Sequence, residues 1–176
     1  MPFLKKVKVP DTECQFGYVA AATAPGIWHK WNGEFSAGDI TTLTSTYSNK
    51  PGYASAGDRK LTKATTSDTT VTGRVGPVSK NIYIPEDSDS SHTTIYQGQM
   101  ALFFTGGQFE TDQFVSVSGT GGAFGDYLKL NDDGKLVEES TATTETAASV
   151  ARVVRLNNMD SGGASAYDSL VFEMIK

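Results

Sequence analysis

One cysteine and two histidines are the residues of this sequence that could carry nucleophilic chemistry. Cys14 is the single cysteine, and His29 and His92 lie far apart along the chain. A reactive thiol needs a lowered pKa, which a helix start or an adjacent base provides. The residues around Cys14 form no helix start and no glycine-framed turn. We therefore predict a non-enzymatic protein without catalytic residues, in which Cys14 is an inert thiol.

Motifs for hydrolysis and phosphate binding are missing as well. The sequence contains no G-x-S-x-G, S-x-x-K or H-E-x-x-H motif. A glycine-rich stretch at 118–125 has Phe124 where a phosphate-binding loop needs its third glycine, and no helical pattern follows it. The carboxylates of Asp132 and Asp133 lie in a predicted turn, where acidic side chains are usually solvated. None of these features changes the non-enzymatic prediction.

Metal and cofactor sites are not predicted either. A single cysteine excludes an intrachain disulfide and a cysteine-based zinc site. The acidic stretch 87–91 resembles the start of a calcium loop, but His92 occupies the position of its required glycine and Gly98 that of its final glutamate. We expect no metal and no cofactor.

Two tryptophans mark a candidate interaction surface. Trp28 and Trp31 flank a polar pair just after a proline-glycine turn. Such rings can anchor a protein partner or stack on a sugar. The alternative is that one ring enters the core while the other covers a strand edge. Both tryptophans are retained as interface candidates.

The first residues form the most basic part of the sequence. Lys5, Lys6 and Lys8 follow the apolar residues Phe3 and Leu4. This pattern fits either a frayed, solvated terminus or an arm that docks onto an acidic partner surface. We take these five residues as candidates for partner binding.

The charge distribution and hydropathy exclude two classes of partner. The net charge is −5; residues 1–63 carry 8 basic and 5 acidic residues, whereas residues 64–176 carry 7 and 15. A nucleic-acid-binding protein needs a concentrated basic face, so no nucleic-acid partner is predicted. The longest aliphatic-aromatic run, at 100–104, is far too short to span a bilayer, and we predict no membrane association and no secretion signal.

The periodicity of the sequence is that of short strands, and it predicts an all-β fold. Threonine-rich alternation and 18 glycines are typical of strands joined by tight turns. The turn at 131–134 predicts a hairpin. Valine-rich residues 149–156 have partly helical spacing, but we favour a strand. The predicted strands are 15–23, 40–47, 69–75, 81–84, 94–105, 113–118, 127–130, 135–138, 149–156 and 170–175.

Breaks in the hydrophobic rhythm divide the chain into three predicted regions. The stretches 48–70 and 86–93 read as long loops. We therefore predict an extended N-terminal arm at 1–12, an irregular, loop-rich β region at 13–93 and a compact β unit at 94–176.

The order of elements in this last region resembles a known family. An aliphatic strand at 101–105 leads through glycines to an aromatic-acidic turn, and a hairpin with the pattern GD-x-L-x-L-x-x-DGKL follows at 125–136. A strand containing VARV and a closing strand at 169–175 complete the set. This order resembles the head decoration, or cement, proteins of tailed bacteriophages and their small β-barrel or sandwich.

The resemblance implies a structural role on the outer surface of a virion. It implies that the protein, made in the host cytoplasm, binds the major capsid protein of the assembled head as a homotrimer and bridges neighbouring subunits. The basic arm, with Phe3, Leu4, Lys5, Lys6 and Lys8, is then the capsid-binding element. The alternative is a glycan-binding or other β module of a phage tail or adhesin.

Overall fold

The computed structural model describes residues 2–10, 13–43, 50–70, 75–80, 93–115, 124–139, 143–157 and 169–175. These residues form eleven strands, one short α-helix and one 3₁₀ helix, so the all-β prediction is confirmed. The helices are α1 (Ala37–Thr42) and the 3₁₀ turn Thr66–Thr70. The strands are β1 (Leu4–Lys8), β2 (Cys14–Val19), β3 (Trp28–Glu34), β4 (Arg59–Lys63), β5 (Val75–Lys80), β6 (Met100–Phe104), β7 (Gln108–Thr111), β8 (Tyr127–Leu130), β9 (Leu136–Glu138), β10 (Ala151–Asn157) and β11 (Ser169–Met174).

Five strands close into a barrel in the order β2-β4-β3-β5-β6. The pair β2 and β4 is parallel, whereas the other neighbours run antiparallel. Closure leaves no unpaired strand edge around the barrel. The interior is filled by fully or nearly fully buried side chains that alternate with outward-facing ones along the strands: Val19, Leu61, Val78, Ile95, Ala101 and Phe103.

Six strands form an open sheet in the order β1-β7-β11-β10-β8-β9. All of its pairs are antiparallel. One face carries a large apolar cluster that includes Phe109, Leu128, Leu170 and Phe172. The sheet therefore has one apolar face, as expected for an antiparallel sheet that covers a second layer.

Strand β6 belongs to the cores of both the barrel and the sheet. Ala101 and Phe103 point into the barrel, whereas Phe104 joins the cluster beneath the sheet. Phe104 and Phe109 contact each other, with ring centroids 4.9 Å apart. Alternation along β6 thus gives barrel and sheet a common apolar layer.

The predicted hairpin at 131–134 is confirmed as the turn between β8 and β9. The side-chain oxygen of Asn131 accepts hydrogen bonds from the backbone N–H groups of Asp133 and Lys135. Gly134 has a φ of +72°, which glycine adopts without strain. Its carbonyl accepts a hydrogen bond of 2.9 Å from the N–H of Trp28, so this turn also ties the sheet to the barrel.

The predicted strand at 40–47 is wrong in its described part, because residues 40–42 belong to α1. Ser36 caps the helix by accepting from the N–H of Asp39, and the Asp39 carboxylate accepts from the N–H of Ser36. This is a capping box with aspartate in place of the usual glutamate. The strand predicted at 81–84 and the acidic stretch 87–91 lie outside the described residues.

The boundaries of the three predicted regions do not coincide with the boundaries of the barrel and the sheet. The loop-rich region forms most of a closed barrel, and β6 from the predicted C-terminal unit completes it. Residues 4–8 of the predicted arm form β1, the edge strand of the C-terminal sheet. Both differences arise because these strands pair with segments that are distant in sequence. The local hydrophobic pattern does not indicate such pairings.

Candidate functional site

The five residues predicted to bind a partner lie in or beside β1. Strand β1 pairs antiparallel with β7, with Leu4 opposite Thr111 and Lys6 opposite Phe109. The N–H of Phe3 donates to Asp112 at 2.9 Å, and the Thr111 hydroxyl donates to the Phe3 carbonyl at 2.8 Å. Leu4 packs against the core beneath the sheet. The apolar residues anchor β1 and leave its lysines on the surface.

The lysines of β1 differ in their surroundings. The Lys5 ammonium lies 3.8 Å from the Glu110 carboxylate, and its side chain is 73% exposed. The Lys6 ammonium lies 5.1 Å from the centroid of the Phe104 ring. Lys8 is exposed at the end of the strand. An ion pair as exposed as that of Lys5 contributes little to stability, so these charges are available to a partner.

Glu110 is held mainly by groups other than Lys5. The Ser169 hydroxyl donates to it at 2.6 Å and the Asn157 amide at 2.7 Å. The hydrogen bond from Ser169 is the largest cause of a lowered pKa at Glu110, so the carboxylate is ionised at neutral pH. Loss of Lys5 would leave this network in place.

The outer side of β1 is an open strand edge, which we call the β1 edge. The strand pairs with β7 on one side, and no strand among the described residues pairs with it on the other. A register shift between Lys6 and Lys8 makes Val7 the extra residue, and its side chain is 48% exposed. An open edge presents unpaired N–H and C=O groups, and lysines on it discourage pairing between copies of one protein.

The two candidate tryptophans have different environments. Trp28 is fully buried beneath the sheet, with its ring centroid 5.9 Å from that of Phe172. Burial removes Trp28 as a residue that a partner can touch. Trp31 is half-buried and lies at one end of the barrel. One ring therefore enters the core, and the other is half-buried at the end of the barrel.

A cavity of about 720 Å³, which we call the barrel mouth, opens at the end of the barrel beside Trp31. Its walls are formed by the start of β2, the end of β3, the start of β4 and Thr105, which follows β6. Its lining combines one aromatic ring with carboxylate, amide, guanidinium and hydroxyl groups from Glu13, Gln15, Trp31, Gly33, Glu34, Arg59 and Thr105.

Three neighbours fix the ring of Trp31. Phe103 meets it edge to face with the centroids 4.9 Å apart, and the Arg59 guanidinium carbon lies 5.3 Å from its centroid. A Cβ at Gly17 would lie 2.8 Å from the indole and 2.6 Å from Leu61. Glycine at this position of β2 therefore makes room for the tryptophan. A lone glycine inside the strand predicted at 15–23 is a sequence signal that could have indicated this close approach.

Glu13 and Thr105 form a fixed polar pair on the opposite wall. The Thr105 hydroxyl donates to the Glu13 carboxylate at 2.8 Å, and the Thr105 N–H donates to the Glu13 carbonyl at 2.9 Å. Gly106 packs closely on the same side chain, since a Cβ there would lie 2.9 Å from the carboxyl carbon. Sequence reasoning missed Glu13, Arg59 and Thr105 as site residues, because the segments that carry them meet only in the folded barrel.

The residues considered for nucleophilic chemistry occupy ordinary structural positions where they are described. His29 is buried, and this burial lowers its pKa to about 4, with a smaller effect in the same direction from Lys63. The neutral ring has Nδ1 3.1 Å from the carbonyl oxygen of Ile27, to which it donates. Cys14 is partly buried against the core, and His92 lies outside the described residues. The absence of catalytic residues stays a prediction.

The described ranges contain no candidate metal cluster and no helix that could span a membrane. No group of three or more histidine, cysteine, aspartate or glutamate side chains there could hold a metal ion. Neither described helix has the length and apolar character needed to cross a bilayer.

No protein-family model, curated protein or solved structure matches this chain. The resemblance to head decoration proteins therefore stays an expectation. The β1 edge and the barrel mouth are the two surfaces from which function can be argued.

Proposed function

We propose that this chain is a structural protein that binds the outer surface of an assembled bacteriophage head and stabilises it. The observation that carries the proposal is the β1 edge, an open strand edge with three exposed lysines on a protein whose net charge is −5. The order of elements after residue 94, which is like that of head decoration proteins, supports the same role. No catalytic step is required.

The mode of binding follows from the chemistry of an edge strand. An extended segment of a capsid subunit adds to β1 as a further strand, with main-chain hydrogen bonds giving affinity. Acidic side chains on that segment face Lys5, Lys6 and Lys8. The same lysines repel the β1 edge of another copy, so charge selects the capsid segment over self-association.

Stabilisation of the head then follows from mass action. A protein that binds only the mature lattice stabilises it by about 2.7 kcal/mol per site when its free concentration is about 100 times Kd. A homotrimer at three-fold positions would present three β1 edges and bridge neighbouring subunits. Many such sites on one shell make modest individual contacts effective.

The test is co-sedimentation of the purified protein with expanded, undecorated heads of the virus that encodes it. We expect saturable binding at a fixed ratio to the capsid subunit. Exchanging Lys5, Lys6 and Lys8 together for glutamine weakens binding at least about tenfold, because three cations of the interface are lost. Deletion of the whole segment is unsuitable, because Leu4 contributes to the core.

A matched control exchanges Lys63, Lys129 and Lys135 for glutamine. This variant has the same change in net charge, at positions on or beside β4, β8 and β9 rather than β1. It should bind heads like the unaltered protein. Equal weakening of head binding in both variants would show that the effect comes from overall charge and not from the β1 edge. An absence of saturable binding by the unaltered protein would refute the proposal.

A further inference from the structure

The barrel mouth has the size and position of a site for a small ligand. Its volume of about 720 Å³ lies within the usual range for ligand pockets, roughly 300–1,000 Å³. The mouths of β-barrels are also among the preferred places for such pockets. The β1 edge, which carries the proposed capsid contact, contributes no residue to the mouth. A ligand there would serve a function separate from head binding.

The floor of the mouth is a rigid aromatic surface. Trp31 packs edge to face with Phe103 and against the barrel core, and it fits over β2 because residue 17 is glycine. The indole is half-buried and lines the cavity, and the Arg59 guanidinium carbon lies 5.3 Å from its centroid, so a ligand meets the part of the ring that Arg59 and Phe103 leave uncovered. A fixed ring of this kind binds an apolar ligand face without first losing conformational freedom.

The walls offer both hydrogen-bond donors and acceptors around that ring. Arg59 supplies a planar donor group, Glu34 supplies a carboxylate acceptor, and the Gln15 amide supplies both functions. Glu13 is already oriented by the Thr105 hydroxyl. Such a mixed ring suits hydroxyl groups, each of which donates one hydrogen bond and accepts others.

Charge narrows the class of ligand. The mouth holds two carboxylates, Glu13 and Glu34, and one guanidinium, Arg59. Two negative groups and one positive group give a net charge of −1, so an acidic ligand would be repelled, whereas a cationic ligand would be attracted by the carboxylates and opposed only by Arg59. A neutral molecule with many hydroxyl groups and one apolar face meets neither repulsion and matches the aromatic ring and the mixed donors and acceptors of the mouth.

We propose that the barrel mouth binds a neutral sugar residue of a glycan. The apolar face of the pyranose ring lies against Trp31, and its hydroxyl groups bond to Glu13, Gln15, Glu34 and Arg59. This site gives the protein a second binding activity, directed at a carbohydrate surface and independent of the β1 edge.

Tryptophan fluorescence provides a direct test, because only one of the two tryptophans can respond. Trp28 is fully buried and serves as an internal reference, whereas Trp31 lines the mouth. The full chain is titrated with glucose, galactose, N-acetylglucosamine and their disaccharides up to about 100 mM, a range that detects weak single-site binding. We expect a saturable emission change for at least one of them, together with protection of Trp31 from acrylamide quenching. Sialic acid, glucuronic acid and spermine serve as charged comparators.

Variants assign the response to the mouth. Arg59→Ala and Glu34→Gln each weaken sugar binding about tenfold, because a hydrogen-bonding partner is lost. Both residues are exposed, so the melting temperature should change little, and Arg59→Ala also removes the contact of the guanidinium with Trp31. Glu145→Gln, at an exposed glutamate outside the mouth, is the matched control and keeps the affinity.

Three results would overturn the proposal: no saturable response to any neutral sugar, tighter binding of an acidic or cationic comparator, or unchanged affinity in both mouth variants. Saturation-transfer NMR on the same samples detects binding without relying on fluorescence. Head binding by the Arg59 and Glu34 variants should remain normal. Failure of this proposal therefore leaves the capsid proposal standing, and the reverse is equally true.

Discussion

Gly76 of β5 lies directly against the backbone of Phe104 in β6. A Cβ placed on Gly76 would come within 1.7 Å of the Phe104 carbonyl oxygen and 2.9 Å of its carbonyl carbon. These are backbone atoms of a strand that belongs to both cores, so they cannot rotate away as a side chain can. The two strands meet this closely only because residue 76 has no side chain.

Gly76→Ala is expected to lower the free energy of unfolding by about 3 kcal/mol or more, because β5 and β6 must separate to admit the methyl group. Urea denaturation measures the loss. Gly38→Ala is the control, since its Cβ would lie 3.6 Å from the Ser36 hydroxyl, an ordinary contact. Alanine in α1 should be neutral or stabilising. Equal stability of the two variants would contradict the close approach.

Trp28 should tolerate phenylalanine far better than alanine. Its indole N–H is buried and has no hydrogen-bond partner among the described residues. Trp28→Ala leaves a cavity and costs about 3–5 kcal/mol. Trp28→Phe keeps most of the apolar contact and removes the unsatisfied donor, so it should cost about 1–2 kcal/mol. Chemical denaturation of both variants checks this, and similar losses would mean that the N–H group matters.

His29 should make stability depend on pH between about 4 and 6.5. Its pKa is lowered from 6.5 to about 4 in the folded protein, so in this range the unfolded chain binds the additional proton. Stability therefore falls as the pH decreases, by about 1 kcal/mol between about pH 7.5 and about pH 5.5. Thermal melts at the two pH values measure the change.

His29→Gln should lose most of this pH dependence, and His92→Gln serves as the comparison for the second histidine. The acidic groups Asp39, Asp68, Glu110 and Glu173, whose pKa values are lowered, lose their contributions only at still lower pH. The chosen interval therefore separates the effect of the histidine from that of these four carboxylates. An unaltered slope in His29→Gln would show that another group takes up the proton.

Head binding through the β1 edge should weaken as salt is added. The screening length falls from about 10 Å at about 0.1 M ionic strength to about 3 Å at about 1 M. Affinity of the unaltered protein should therefore drop steeply over this range in the co-sedimentation assay. The variant with glutamine at Lys5, Lys6 and Lys8 should show a shallower slope, and identical slopes would argue against a role of these lysines.

Elements specified by neighbouring residues could be predicted from the sequence. The β8–β9 hairpin is one example, because the turn residues and the alternation of Leu128 and Leu130 are local signals. The strand β10 is another, since β-branched residues outweighed its helical spacing. Strands β1 and β4 were missed, because LKKVK and RKLTK are largely polar and their pairing partners lie elsewhere in the sequence.

For the candidate sites, too, the sequence indicated the local features but not the contacts between distant segments. The lysines of β1 were visible as a basic segment, but its place at a sheet edge depends on β7, about a hundred residues further along the chain. Trp31 was visible as an aromatic residue in a polar setting. Arg59 and Thr105 join it only when β4 and β6 take their places in the barrel, and no local pattern encodes that meeting.

The pairing of β1 with β7 also sets an order of events during synthesis. The hydrogen bond between Phe3 and Asp112 joins residues 109 positions apart. At a synthesis rate of about 5–20 residues per second, roughly 5 to 20 seconds pass between the synthesis of β1 and that of β7. The barrel is completed by β6, which ends at Phe104, shortly before β7 begins at Gln108, so barrel closure and the pairing of β1 become possible at nearly the same time. Until β7 is made, β1 lacks the strand with which it pairs, and its lysines discourage pairing with strands of neighbouring nascent chains.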